Sequence, residues 1–92
     1  MKSCTVERKL HKIKIREEFA DDVLNGDKCF EVRENDRGYQ KGDFIQFDVI
    51  GGMGLSRHHD LNDVRFEITY VLSGWGIKDG YVVFGIRKSD NG

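Results

Sequence analysis

The sequence predicts a small α+β domain, mainly β: a mostly antiparallel barrel of about five strands with one short helix after the first strand. Three observations carry this. Apolar residues alternate over five short stretches, a single stretch switches to the helical period, and proline is absent while glycine reaches 11 of 92 residues. Without proline, the corners between strands have to be made by Gly, Asn and Asp in left-handed conformations.

From Lys9 to Arg16, His11, Ile13 and Ile15 alternate with Leu10, Lys12, Lys14 and Arg16, the pattern of a strand with an apolar inner face. Over Glu17–Asn25 the period changes, and Phe19, Ala20, Val23 and Leu24 form one helical stripe with the acids outside it. Glu17 and Glu18 suit the positive end of a helix dipole, and Gly26 stands where a glycine cap belongs. Lys28–Glu34 reads as the second strand, with Phe30 and Val32 expected in the core and Glu31 and Arg33 on the other face. Asn35 to Asp43 is rich in turn formers. Phe44–Ile50 is the third strand, through Ile45, Phe47 and Val49.

Gly51–Asp63 has no period and reads as a mobile loop. Val64–Leu72 is the clearest strand, with Val64, Phe66, Ile68, Tyr70 and Leu72 expected to face one way. A loop around Trp75 leads to the last strand, Tyr81–Arg87. With only one helix available for a crossover, most pairings must be antiparallel. Five short twisted strands then close into a barrel that hides its edges. The reading is one domain over 1–92, with its core at 9–87 and flexible ends at 1–8 and 88–92.

Composition narrows function. The charged fraction is 34% and the net charge −1, which argues against holding long nucleic acid by charge alone. The first sixteen residues nonetheless carry six basic side chains against one acid, a stripe able to meet a phosphate or simply to guard an edge strand. No apolar run reaches the roughly 20 residues of a membrane helix. With two cysteines, Cys4 and Cys29, the expectation is a cytoplasmic chain with reduced thiols. His58-His59-Asp60 in an aperiodic loop does not set up a tetrahedral site, so no metal is expected, and no phosphate-loop or dinucleotide motif supports a cofactor.

The series His11-x-Ile13-Lys14-Ile15, a short helix, Gly26-x-Lys28-x-x-Glu31-x-Arg33-x-Asn35-Asp36-Arg37 and Gly42-Asp43 resembles the ASCH domain of the PUA-like superfamily. It is most similar to the small bacterial and phage branch grouped as DUF3850, or activating signal cointegrator-like. Thr69-Tyr70-Val71-Leu72 and Gly80-Tyr81-Val82-Val83 fit the same branch, so the likeness spans residues 9 to 87. It implies a small PUA-like β-barrel with a helix near its mouth and RNA binding in a cleft beside the Gly-x-Lys strand. Some relatives hydrolyse acylated cytidine with the Thr and Lys of a G-x-K-x-x-T motif. Here Glu31 stands at the Thr position, which removes that hydroxyl.

These readings mark Lys28, Glu31 and Arg33 as the floor of a cleft for RNA or a nucleotide-like ligand, with His11, Lys14, Arg37 and Tyr39 around it. Lys28 is either a point charge for phosphate or a solvated strand start. Glu31 and Arg33 lie two apart on one face, as an ion pair or as a base-edge recognition pair. Asn35 and Asp36 are explained by turn chemistry, whereas a turn does not need Arg37. His11 suits the core or rim, or a stacking contact with a base. Trp75 is expected to plug one end of the barrel, and Tyr39 to stack on a ligand. Were the chain a hydrolase of N4-acylated cytidine, Lys28 and Glu31 would act, although Arg33 opposes a basic Glu31. A protein partner at the 51–63 loop is the third option.

Overall fold

The computed structural model describes residues 7–89. The elements are β1 (Leu10–Arg16), α1 (Glu17–Leu24), β2 (Phe30–Glu34), β3 (Phe44–Ile50), a 3₁₀ turn (Asp60–Asp63), β4 (Arg65–Leu72) and β5 (Tyr81–Lys88). The strands form one sheet in the order β1-β3-β4-β5-β2. β1 runs parallel to β3, and the β3–β4, β4–β5 and β5–β2 ladders are antiparallel. The sheet curls into a half-barrel around Ile13, Ile45, Phe47, Ile68 and Phe84. Its two outer strands, β1 and β2, face each other without a ladder, so the expected closure is an open seam.

Local chemistry explains most of the elements. α1 ends at Asn25, and Gly26 follows at φ +91°, a conformation that costs a residue without Cβ nothing. The Lys28 N–H then donates to the Asp22 carbonyl at 2.9 Å, which fixes the start of β2. Ala20 and Val23 are buried under the sheet, whereas Phe19 stays 41% exposed.

Five expectations are corrected. Phe30 and Val32 are not core residues; β2 is turned over, with Glu31 buried and both hydrophobes exposed. Tyr70 and Leu72 do not follow Phe66 and Ile68 inward, because the β4–β5 register shifts between Ile68 and Tyr70. The extra residue, Thr69, reverses the alternation. Its Oγ1 lies 2.7 Å from where a Cβ on Gly85 would stand, so glycine there admits the bulge. Trp75 plugs nothing: it is 90% exposed at φ +55° in the β4–β5 connection.

The 51–63 stretch is not an unstructured loop. Only the first residues of β3 pair with β4, and this segment covers the rest of that edge: the Asn62 Oδ1 accepts from the Val49 N–H at 3.0 Å, and the Arg57 N–H donates to the Val49 carbonyl at 2.7 Å. Leu61 is fully buried beneath it. Finally, Lys88 belongs to β5, and the Ser89 N–H donates to the Arg65 carbonyl at 2.9 Å. Residues 1–6, with Cys4, and 90–92 lie outside the described residues. Among the described residues no helix is long and apolar enough to cross a membrane.

Candidate functional site

The inner face of β2 carries the charged cluster. Glu31, opposite Phe84 on β5, has a side chain only 4% exposed. Such a carboxylate is stable only with partners, and it has two. Lys28 Nζ donates to Oε2, while Arg33 reaches Oε1 through Nε at 3.0 Å and Nη2 at 2.9 Å. Lys28 Nζ also donates to the Phe30 carbonyl at 2.9 Å and sits 5.0 Å from the centre of the Phe30 ring. Both carboxylate oxygens are thus engaged by cations.

Arg33 spans the seam. Its Nη2 donates to the Lys14 carbonyl on β1 at 2.6 Å, a side chain standing where a backbone ladder would close the barrel. Two grooves meet at this bridge. One, of about 450 Å³, runs past Lys14, Arg16, Lys28, Phe30 and Arg33. The other, of about 720 Å³, is lined by Lys12, Lys14, Arg33, Arg37 and Tyr39, with Asp36 and Asp48 among its acids. Lys12, Lys14 and Arg37 have no side-chain hydrogen bond or ion pair among the described residues.

Tyr39 differs most from its expected setting. The residue is 5% exposed and in tilted contact with the rings of His11, at 4.8 Å and 58°, and Phe84, at 4.7 Å and 36°, so its ring is buried rather than open to a base. The backbone N–H is fixed by the Asn35 side chain at 3.0 Å. The hydroxyl has no hydrogen-bond partner among the described residues and belongs to the wall of the larger groove. Burial holds its pKa above the ordinary phenol value of 10.0, with the Arg33 and Arg37 guanidiniums pulling it down.

His11 lies on the inner side of β1, 6% exposed, and its Nε2 bonds Asp43 Oδ2 at 2.8 Å. Asp43 also accepts the Lys9 and Gln40 N–H groups, so the pair ties β1 to the turn before β3. The structure therefore brings Lys14, Lys28, Glu31 and Arg33 together at the seam, and Arg37 with the edge of Tyr39 beside them; it leaves His11 behind that ring. Lys12 was missed as a site residue, although its alternation with Lys14 puts both on one face. Asp43 had no local signal, being 32 residues from its partner. His59 bonds Asp21 of α1 at 2.9 Å, and among the described residues no three His, Cys, Asp or Glu side chains gather as a metal site.

A curled five-stranded sheet with one helix and a charged, arginine-bridged seam defines a small α+β half-barrel with a ligand-sized opening. Within that class the chain belongs to the family described as Domain of unknown function (DUF3850), whose model matches residues 10–86. No curated protein matches the chain.

Proposed function

We propose that this protein is an RNA-binding module of the ASCH, PUA-like kind, taking a short unpaired segment or a nucleotide into the seam between β1 and β2. The observation that carries the reading is the larger groove: Lys12, Lys14 and Arg37 line it with no hydrogen-bond or ion-pair partner among the described residues, and Tyr39 borders it. Unpaired cations around one opening suit phosphate oxygens. A net charge of −1 keeps the contact short, since no long electrostatic track is available. Glu31 has a supporting part here, holding Lys28 and Arg33 in place by their charge. The Arg33 Nη1 has no hydrogen-bond partner among the described residues and is the group left for a base edge or phosphate. A cytoplasmic setting fits the free thiol of Cys29.

Fluorescence anisotropy with short labelled RNAs, single-stranded and duplex, tests this. The single strand is expected to bind more tightly. Arg37→Ala and Lys14→Ala should each weaken it several-fold and lower the salt slope by about 1, as loss of one phosphate contact does. Both side chains are exposed, so folding should be unaffected. Absence of binding at high micromolar protein, or equal binding by parent and both variants, overturns the reading.

A further inference from the structure

The outer face of the sheet carries an apolar feature that crosses three strands, of which only the β2 edge, Phe30 and Val32, also borders the smaller groove. β2 turns Phe30 and Val32 to solvent, and the bulge at Thr69 turns Tyr70 and Leu72 the same way. Register joins them: Phe30 and Tyr70 both pair with Gly85, and Val32 and Leu72 both pair with Val83. The result is an aromatic row above an aliphatic row across three strands. Phe30 is 46%, Val32 54% and Tyr70 63% exposed. Together they make a continuous apolar patch of a few hundred Å², a feature that is often functional.

We propose that this face binds a second copy of the chain, through a two-fold axis that lies between the two faces and runs across the strands midway between the Gly85 and Val83 rows. Such an axis keeps β2 over β2 and β4 over β4 while exchanging the ends of the strands. Phe30 then packs on the partner's Val32 and Tyr70 on the partner's Leu72, each contact occurring twice, as an isologous interface requires.

Charge favours this arrangement. At one end of the patch Arg8 and Arg87 both contact Glu67, and Arg65 lies over the neighbouring Phe44 ring, so among these described residues three bases meet one acid. At the other end Glu34 pairs with Tyr81, Asp79 lies in the preceding turn, and Lys78 Nζ sits 5.2 Å from the centre of the Tyr81 ring, so two acids stand against one base. Exchanging the ends lays Arg87 of each copy over the Glu34 end of the other. An axis parallel to the strands would set like charges together instead. The apolar patch is smaller than the ~800 Å² each partner contributes to a stable complex, so the interface has to include the charged rim.

Sedimentation equilibrium of the parent chain is expected to show a dimer in the micromolar range. Val32→Lys, at an exposed position, should leave a folded monomer by circular dichroism; Tyr70→Lys on the neighbouring strand repeats the test if that variant misfolds. Glu34→Arg should weaken the dimer about tenfold, and adding Arg87→Glu should restore it. A parent monomeric at high micromolar concentration overturns the proposal, its face then serving some other partner. So does a dimer indifferent to the lysine substitutions, or a charge swap no tighter than Glu34→Arg alone.

Discussion

β1 and β2 are the two free strands of one sheet, they face the same seam, and they place opposite chemistry inside. β1 buries His11, Ile13 and Ile15 and sends Lys12 and Lys14 outward. β2 buries Glu31, half-buries Arg33 and exposes Phe30 and Val32. Alternation decides which side chains share a face, and both strands obey it. It does not decide which face is inside. For β1 the basic stripe settles the matter, since lysines cannot be buried without partners. For β2 the inner positions meet an open seam, and Lys28, Glu31 and Arg33 neutralise one another there. That makes the charged face tolerable inside and leaves the apolar face outside.

The largest test of the difference is Glu31→Ala. Removing the carboxylate strips Lys28 and Arg33 of their shared partner where each side chain is only about a quarter exposed. Breaking a buried pair from one side costs about 3–5 kcal/mol, and partial solvation of these two cations puts the expected loss near the lower figure. Urea unfolding measures it. A loss under about 1 kcal/mol, the usual worth of a surface pair, would mean that β2 tolerates its inward charges without internal neutralisation.

A smaller contrast comes from truncating one hydrophobe on each strand. Ile13→Ala on β1 removes a side chain that is 2% exposed, and about 2–5 kcal/mol should go with it. Val32→Ala on β2 removes one that is 54% exposed and should cost under about 1 kcal/mol at concentrations where the chain is monomeric. Equal losses in the two variants would place Val32 in the core and remove the inversion.

The same contrast separates what was legible from what was not. β1, α1, β3 and β5 could be read because their determinants are local: a clean period, a glycine beyond the last turn, lysines on one face. The fate of Tyr70 depended on a bulge at Thr69 that needs Gly85, a residue on another strand. The 51–63 segment has no period because it forms no regular element for most of its length, yet Leu61 is core and Asn62 completes the edge of β3. Of the site, the spacing of Lys28, Glu31 and Arg33 was visible in sequence. The contact of Arg33 with Lys14 was not, since it depends on how far the half-barrel curls.

The finest probe of the seam is Tyr39, whose ring is closed in by His11 of β1 and Phe84 of β5 while its hydroxyl borders the groove. Burial raises its pKa above 10.0 in the folded chain, against the pull of Arg33 and Arg37. An unfolded phenol loses its proton first as pH rises through about 10, so above that pH the folded state holds more protons than the unfolded one. Stability must then fall with increasing pH, having been fully present below the unfolded pKa. The urea midpoint should therefore drop more between pH 9 and pH 11 (roughly the span that brackets a phenol) in the parent than in Tyr39→Phe, with the difference reporting this one hydroxyl. If parent and variant decline in parallel, the Tyr39 hydroxyl is as well solvated in the folded chain as in the unfolded one, and burial does not set its pKa.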